Sequence, residues 1–441
     1  MRTRGICIFL ILLMLGSVLI FTPSSEQSND THEKPLIPAF ELNEAQEKAL
    51  ADTGFGRGAT ANWSASGGSE GRDFIYEIVE DSGGNIIIAG SVFADCWLGS
   101  VVVYTEGLGD IIVAKLDPDG NWLWAQSAGT ANAYDEARGV ALDDDDDIYI
   151  TGYLNGTVTF GSTELWSAKF DGYIAKLNGT NGNWEYAISY GGGDVDVGWD
   201  IAVDSSENVY VTGYFQNFSI FGSHTLNAGT LSNDARFFVA KYNRSTPDWE
   251  WAYAAIGDAF SSGFQLVLDA SENIYVVGYN TDIVTWNNSF TSSATGTWNG
   301  FLLKYSSSGG FLWGRAVGSS SSCFSANCGV YFNNVVIDSQ QRVVVGGNQL
   351  GDVTYYGKSH TGMGNWDIVV SRWQGNGVHD WYSMTGSSGD DRVQALAVNP
   401  DDRPVVGGWL GGSSQFGGSI LSNISGESDF FMAQLYANGQ W

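Results

Sequence analysis

One phrase recurs six times in this chain and constrains its fold more than any other feature. Each copy places a turn of the form Asp-x-x-x-Asn, or a close variant, before a β-branched run that stops at a glycine. The copies read DSGGNIIIAG, DDDDDIYITG, DSSENVYVTG, DASENIYVVG, DSQQRVVVGG and NPDDRPVVGG, ending at Gly90, Gly152, Gly213, Gly278, Gly347 and Gly408. Their period of 61 to 69 residues predicts a propeller or a stacked array.

Each repeat predicts four short strands, which we call a, b, c and d. In the third copy, strand a is GWDIAVD, strand b is NVYVTGY, strand c is FFVAKY and strand d is WEWAYA. Strand c recurs as IIVAKL, YIAKL, FLLKY, IVVSRW and FFMAQL, and strand d recurs as WLWAQ, WEYAI, FLWGR and DWYSM. Four antiparallel strands in a repeat of this length are the blade of a β-propeller.

The two ends of the chain predict how such a propeller closes. The sixth copy stops at GQW, where Trp441 aligns with Trp122, so it lacks most of strand d. The missing strand resembles NWSASGG, residues 62 to 68, which precedes the first copy. Pairing it with the last blade leaves no open sheet edge. We therefore predict an all-β, six-bladed β-propeller over residues 59–441, with the last blade closed by an N-terminal strand.

The N-terminal residues predict export. Arg2 and Arg4 precede a 16-residue apolar run from Ile6 to Phe21. A basic start and a short apolar run are typical of a secretory signal. We interpret residues 1–25 as a signal peptide or an uncleaved signal anchor, and residues 26–58 as a polar spacer with one short helix. The propeller is then expected outside the cell or on its surface, meeting the membrane only through this segment.

The charge of the chain excludes one large class of partner. It carries 49 acidic against 20 basic residues, a net charge of −29. Such a chain repels phosphate backbones, so we expect no nucleic acid as a partner.

The repeat as a whole resembles a known family. The pattern is IAVDSSENVYVTGYF, then Phe221–Gly222, then FVAKY and W-x-WA. It is similar to the SBBP-type β-propeller repeat proteins, which are secreted or surface proteins of bacteria and archaea. The resemblance covers about residues 60 to 441. It implies the propeller fold and an exported location, but no particular ligand.

Tryptophans fall into two groups in the repeats. Those of strand d recur at fixed positions and are interpreted as packing between neighbouring blades. A second group lies in or beside the long b–c connections, where loops on a rigid scaffold often bind ligands. These candidate binding residues are Trp97, Trp166, Trp286, Trp298, Trp366 and Trp409.

An acidic residue stands eight positions before the a–b turn in four of the six copies. These residues are Asp73, Asp135, Asp196 and Asp391, while Ser261 and Val330 interrupt the series. At the start of strand a they would gather near the mouth of a central channel and could hold calcium through carboxylate oxygens. Turn capping within each blade explains the same recurrence without a metal, and it is the preferred interpretation.

Covalent features fit an oxidising compartment. Cys323 and Cys328 lie in one predicted loop and could close a small disulfide, whereas Cys96 has no evident partner. Candidate glycosylation sites in Asn-x-Ser/Thr sequences are Asn62, Asn155, Asn178, Asn217, Asn243, Asn287 and Asn423.

Motifs of catalysis are missing from the sequence. The four histidines are not clustered, and no nucleophile elbow, P-loop, HExxH or CxxC occurs. We therefore expect a cell-surface binding or structural module whose ligand is a glycan, a peptide or another surface protein. Two alternatives remain: an extracellular hydrolase or lyase with carboxylates at the central channel, and an architectural component of a surface layer or adhesion system.

Overall fold

A computed structural model describes residues 63–441, apart from 229–234, 258, 293–297, 319–327, 357 and 423–427. The predicted signal segment and the whole of the spacer, with its predicted short helix, lie outside the described residues. Strands and turns make up the described part of the chain, which contains no helix long and apolar enough to cross a membrane. The all-β prediction is confirmed.

The strands follow the repeats in chain order. Before the first repeat lies β1 (Gly67–Gly68). The first repeat contains β2 (Asp73–Glu80), β3 (Ile86–Val92), β4 (Cys96–Leu98), β5 (Val101–Val103), β6 (Asp110–Leu116) and β7 (Trp122–Ala128). The second contains β8 (Glu136–Leu142), β9 (Ile148–Phe160), β10 (Thr163–Leu177) and β11 (Trp184–Tyr190). The third contains β12 (Asp196–Val203), β13 (Val209–Gln216), β14 (Phe218–Phe221), β15 (His224–Asn227), β16 (Ala235–Asn243) and β17 (Asp248–Ile256).

The remaining repeats have the same order. The fourth contains β18 (Ser261–Leu268), β19 (Ile274–Asn280), β20 (Val284–Trp286), β21 (Phe290–Ser292), β22 (Asn299–Tyr305) and β23 (Phe311–Val317). The fifth contains β24 (Gly329–Ile337), β25 (Val343–Leu350), β26 (Val353–Tyr355), β27 (Lys358–His360), β28 (Trp366–Trp373) and β29 (His379–Thr385). The sixth contains β30 (Arg392–Val398), β31 (Pro404–Leu410), β32 (Ser414–Phe416), β33 (Ser419–Leu421) and β34 (Asp429–Gln434).

Strands a to d form one antiparallel sheet in each of the first five repeats. The order is β2-β3-β6-β7 in the first repeat and equivalent in the next four, whereas the sixth repeat has the three-stranded sheet β30-β31-β34. Consecutive sheets pack against one another in chain order, through contacts such as β2 with β8, β12 with β18 and β24 with β30. Sequential four-stranded antiparallel blades are the architecture of a β-propeller repeat protein.

The b–c connections are more ordered than the sequence suggests. They are hairpins rather than loops. The hairpin is a separate two-stranded sheet in the third, fifth and sixth repeats, pairs with β1 in the first and with β17 in the fourth, and extends β9 and β10 in the second. The Phe-Gly element supplies the turn, since Gly161, Gly222 and Gly417 have φ values of 60°, 54° and 60°. Glycine adopts this left-handed conformation without a Cβ clash. Asn287 has the same conformation at φ 48°.

The repeated glycine of strand b has a steric cause. A Cβ atom on any of the six would lie 1.8 to 2.1 Å from a backbone carbonyl oxygen of strand a; at Gly213 that oxygen belongs to Val197, 1.9 Å away. The two strands approach this closely beside a β-bulge, where strand a carries one extra residue. Only glycine fits there, which explains why every copy of the phrase stops at this residue type.

The strand-d tryptophans pack between blades, as predicted. Trp124 covers Gly182 of the next repeat, and Trp381 covers Gly439. Both glycines are in c–d turns with positive φ. Apolar clusters also cross the junctions; one joins Ile111 of the first repeat to Ile150 of the second. Burial across the junctions therefore holds the repeats together.

The N-terminal segment lies against the first repeat. Trp63 covers Gly120 of that repeat, and β1 pairs with β4, with Gly67 opposite Leu98. The predicted pairing between this segment and the last sheet is not present: among the described residues, β34 has only β31 as a strand partner. Beside β34 runs a groove of about 380 Å³ lined by residues that include Met432 and Trp441.

Candidate functional site

Every strand a carries a β-bulge at the same position. The residues at the register shifts are Tyr76, Arg138, Trp199, Phe264, Asn333 and Gln394. A bulge re-aims the side chain of its extra residue. The strands a of consecutive repeats are neighbours, so the bulge side chains of repeats one to four come into contact.

Arg138 is the centre of one half of this arrangement. Its guanidinium carbon lies 3.8 Å from the centroid of the Tyr76 ring and 4.8 Å from that of Trp199. The same guanidinium forms an ion pair with Glu136. An arginine held between two aromatic faces is fixed in place by cation–π attraction.

The aromatic contacts continue into the later repeats. The Trp199 and Phe264 ring centroids are 5.9 Å apart, and Phe264 lies 6.3 Å from Tyr331. Tyr331 in turn contacts Trp366 at 5.0 Å, and the interplanar angles of 70° and 64° in these two contacts indicate edge-to-face packing. The chain of contacts therefore runs from the first repeat to the fifth.

Arg392 of the sixth repeat completes the series. Its guanidinium carbon lies 4.4 Å from the centroid of Trp366, and its Nη1 donates to the Tyr331 hydroxyl at 2.6 Å. Asp390 pairs with this arginine at 2.5 Å. We call this set the inner belt; its members are Tyr76, Arg138, Trp199, Phe264, Tyr331, Trp366 and Arg392.

The inner belt is neither core nor open surface. All seven members are half-buried. Burial raises the pKa of both Tyr76 and Tyr331, so their hydroxyls stay neutral donors. Within the described residues, the Trp199 indole nitrogen has no hydrogen-bond partner. The belt thus offers ring faces together with fixed polar groups, the composition of many ligand sites.

The predicted tryptophans divide among four environments. Trp298 and Trp366 lie together, with ring centroids 4.9 Å apart, and Trp366 belongs to the inner belt. Trp97 and Trp166 are 51% and 68% exposed on separate hairpin strands. Trp286 is fully buried against Phe290 and Phe301 and is part of the core. Trp409 is half-buried on β31.

The sequence interpretation missed the bulge residues of the belt. Each stands five positions before the first residue of the a–b turn, as Trp199 stands before Asp204. That offset is a usable signal. It was hidden because tyrosine, arginine, tryptophan and phenylalanine share no obvious chemistry.

The four predicted acidic residues lie apart, each bonded within its own repeat or to the loop before it. Asp73 accepts bonds from Ser69, and Asp135 accepts backbone N–H groups of Thr130 and Asn155 at 2.8 and 2.7 Å. Asp196 accepts from Gly192. Asp391 accepts from Ser387 and Gly411. The described part of the chain holds no cluster of three or more metal-ligating side chains.

The cysteine and asparagine candidates have varied surroundings. Cys96 is free and buried, and burial raises its pKa to about 12. Cys328 is disulfide-bonded, while Cys323 lies outside the described residues, so their pairing stays a prediction. Asn217 is exposed, whereas the other described sequon asparagines are half-buried: Asn155, Asn178, Asn243 and Asn287. Asn62 and Asn423 lie outside the described residues.

One pair of carboxyl groups lies on two of the strands a, those of the first and third repeats. Glu77 and Asp200 share a side-chain hydrogen bond, and burial together with the Asp200 charge raises the pKa of Glu77 well above its usual range. Burial raises the pKa of Asp200 to about 7. Glu77 also accepts the Val140 N–H at 2.7 Å, and Asp200 accepts that of Leu266 at 2.7 Å. The pair therefore links four consecutive repeats.

Comparison with known proteins adds little beyond the repeat. No family model matches the chain. An uncharacterized WD repeat-containing protein of Acanthamoeba polyphaga mimivirus is 24% identical over 271 residues, covering 51% of this chain and 19% of that protein. The chain thus spans about a fifth of the relative's length.

The Dos1 propeller is one of the solved structures that are similar to this chain. Its sequence identity is 10%, the match covers 82% of this chain and 93% of the Dos1 chain, and the TM-score is 0.37. A protein of unknown function from Bacteroides caccae has 8% identity, coverage of 75% and 87%, and a TM-score of 0.33. The sheet topology itself carries the fold assignment: the chain is an all-β repeat protein built of propeller-type blades.

Proposed function

We propose that this chain is an exported, six-bladed propeller that binds carbohydrate at its inner belt. Ring closure, export and the ligand are all parts of this proposal. The observation that carries it is the belt itself: five half-buried aromatic side chains and two arginines in one connected row across the repeats.

Support for closure comes from the contacts of β1. Gly67, four residues after Trp63, stands opposite Leu98 in the hairpin of the first repeat. Ala255, four residues after Trp251, stands opposite Trp286 in the hairpin of the fourth repeat. Trp251 is on strand d of the third repeat, which precedes the fourth. By the same register, the N-terminal segment corresponds to a strand d that precedes the first repeat. The sixth repeat is the one without such a strand.

Carbohydrate is the ligand that this chemistry favours. Sugar rings present C–H faces that pack on aromatic rings, and their hydroxyl groups bond to arginine, tyrosine and carboxylate groups. The belt offers Trp199, Trp366 and Phe264 as faces, with Arg138 and Arg392 as donors beside them. Each arginine is already paired with a carboxylate, which limits attraction for strong anions.

Export is supported by the N-terminal sequence. Two arginines followed by a short apolar run would carry the propeller across a membrane. The acidic composition suits a solvated protein outside the cell and disfavours anionic partners.

A glycan array with the purified protein tests the proposal. We expect binding to a restricted set of glycans, with at least a tenfold loss of affinity in Trp199→Ala and in Trp366→Ala. The matched control is Trp166→Ala, because Trp166 is more exposed but lies on a hairpin away from the belt. Equal losses in all three variants, or binding of a peptide or protein with no glycan signal, would contradict the carbohydrate assignment.

A hydrolase or lyase is the second candidate, favoured by the Glu77–Asp200 pair. Two carboxyls with raised pKa values can serve as acid and base. Here both accept backbone N–H groups, which explains the pair structurally. Turnover of a polysaccharide panel by the wild-type protein and its loss in Asp200→Asn would favour the enzyme; absence of turnover leaves binding or architecture.

A further inference from the structure

Hydrogen bonds between a–b turns link neighbouring repeats. At four of the five junctions between consecutive repeats, the second residue of one turn donates to the side chain of the fourth residue of the next turn. Ser82 N donates to Asp146 at 2.8 Å, and Ser339 N donates to Asp402 at 2.9 Å. Both serine hydroxyls donate to the same carboxylates. The other two bonds are Ser205 N to Glu272 Oε1 at 3.3 Å and Ala270 N to Gln341 Oε1 at 2.7 Å.

The backbone of the fourth turn residue shows that its side chain matters. Asp146, Glu207, Glu272, Gln341 and Asp402 have φ values between 58° and 64°. A residue with a Cβ atom is strained in this left-handed conformation, whereas glycine is not. Glycine would therefore suit the backbone better at this position. The link to the preceding repeat explains why five turns have a side chain there instead.

An ion pair takes the place of the hydrogen bond at the junction between the second and third repeats. The two turn positions are Asp144 and Glu207, which are both acidic. Lys176 Nζ lies 3.2 Å from Asp143 of the second turn and 3.5 Å from Glu207 of the third. Every pair of consecutive a–b turns is therefore linked through side chains.

A second set of links joins the strands a. These links start from the residue after each bulge. Glu77 and Asp200 accept N–H groups of the next strand a, as described above, and Gln265 accepts another at 2.7 Å. Asn334 donates to a backbone carbonyl of the sixth repeat at 3.3 Å. Gly139 of the second repeat has no side chain, but the hydrogen bond from Glu77 of the first repeat to Asp200 of the third bridges it.

Neither set of links can form where the sixth repeat would meet the first, a place that we call the closing junction. Pro400, the second residue of the sixth turn, has no N–H and no hydroxyl group, and Gly84, the fourth residue of the first turn, has no side-chain acceptor. Ala395 follows the sixth bulge, and its methyl group forms no hydrogen bond. Consecutive repeats are also joined by the chain itself, whereas the sixth and the first are not.

Crowding does not explain the glycine at this junction. A Cβ atom on Gly84 would lie 3.5 Å from Glu80 Oε1 and 3.6 Å from Pro118 Cγ, which are ordinary contact distances. The five other turns have larger residues in a left-handed conformation at the same position. The missing link is therefore a property of the sequence that the local geometry does not require.

We propose that the ring opens reversibly at the closing junction, while the other five junctions stay closed. This inference rests on the ring closure proposed above. Packing of Trp63 on Gly120 would hold the closed form. The inner belt begins at Tyr76 in the first repeat and ends at Arg392 in the sixth, so the opening lies between the two ends of the proposed binding site. Opening would therefore widen that site.

Spin labels at equivalent positions test this inference. Asp119, Asn376 and Asn438 are the exposed third residues of the c–d turns in the first, fifth and sixth repeats. Nitroxide labels on Asp119→Cys with Asn438→Cys span the closing junction, and labels on Asn376→Cys with Asn438→Cys span an internal one. Double electron–electron resonance should show two distance populations across the closing junction, the shorter matching the single population across the internal junction. Labelled wild-type protein corrects for the native cysteines.

A restored link is the decisive variant. Pro400→Ala with Gly84→Gln copies the neutral bond between Ala270 and Gln341, so it adds no charge beside Glu80. We expect it to lower the ratio of open to closed molecules about fivefold, the effect of one net hydrogen bond. The matched control is Gly84→Gln alone, which should leave this ratio unchanged because Pro400 has no N–H to donate. An unchanged distance across the internal junction shows that each variant is folded.

The outcomes separate the opening from ring closure. One narrow population across both junctions would overturn the opening and leave ring closure intact. So would an equal effect of the double variant and of Gly84→Gln alone. A single long distance across the closing junction, in the wild type and in the double variant, would contradict ring closure itself and overturn the opening with it.

Discussion

The indole nitrogen of Trp63 donates a hydrogen bond to the backbone carbonyl of Pro118, 2.7 Å away. Trp381 donates in the same way to Ala437 O at 3.2 Å. In both cases the acceptor stands two residues before the glycine that the indole covers. Trp381 is on strand d of the fifth repeat. Trp63 therefore contacts the first repeat in the same way as a strand-d tryptophan contacts the repeat that follows it.

This relationship predicts a covalent cross-link between the chain ends. In the first repeat Ala114 stands opposite Ala125, and these positions correspond to Ala433 and Ser64, so an equivalent pairing would set Ala433 opposite Ser64. We expect Ser64→Cys with Ala433→Cys to form a disulfide under mild oxidation, detected by mass spectrometry of the digested protein. Ser66→Cys with Ala433→Cys is the control, because a diagonal separation of about 7–8 Å is too long for a disulfide. Equal cross-linking in both, or in neither, would argue against this register.

Removing the Trp63 side chain should destabilise the protein. Trp63→Ala removes the cover of Gly120 and one hydrogen bond, which should lower the free energy of unfolding by about 2 kcal/mol. Trp166→Ala is the matched control, since its side chain is 68% exposed and should cost less than about 1 kcal/mol. Urea unfolding followed by fluorescence measures both. Similar losses would mean that Trp63 contributes no more than a surface tryptophan.

A methyl group at the strand-b glycine should be poorly tolerated. Gly213→Ala sets a Cβ 1.9 Å from the carbonyl oxygen of Val197, so strand a must shift, at a cost of about 3 kcal/mol. Gly418→Ala is the control, because no atom lies within 4 Å of its Cβ position. Thermal unfolding of the two variants should differ clearly. A wild-type Tm for Gly213→Ala would refute the steric explanation of the repeated phrase.

Acid should strengthen the Glu77–Asp200 link. Both carboxyls have raised pKa values in the folded state, so the folded protein binds more protons than the unfolded chain. This contribution is complete below about pH 4 and is lost as the pH rises through about 7. Glu77→Gln donates its amide to Asp200 at every pH, so it should reduce the loss of stability between pH 5.5 and 8.5 by on the order of 2 kcal/mol.

Urea unfolding at the two pH values measures this difference. The control is Glu164→Gln, an exposed acid on a hairpin, which should retain the wild-type slope. If Glu77→Gln loses as much stability as the wild type over this range, the shared proton is not what links the two strands.

The repeats were predictable from sequence because their signals are local. The a–b turn is one example: Asp81 accepts the N–H groups of Gly83 and Asn85, both at 2.9 Å, all within one short segment. The inner belt depends instead on contacts between repeats. Arg138 and Trp199 are a full period apart, and nothing in either neighbourhood indicates that their side chains meet. Trp286 was misjudged for the same reason, since its hairpin folds onto the core.

The bulge in each strand a makes the pairing of the strand independent of the identity of its extra residue. Hydrogen-bond pairing continues on both sides of the extra residue, so that residue can change identity without disturbing the register. Tyrosine, arginine, tryptophan, phenylalanine, asparagine and glutamine already occupy the six positions. Evolution or engineering could therefore exchange the side chains at these six positions, one repeat at a time, while the framework stays the same.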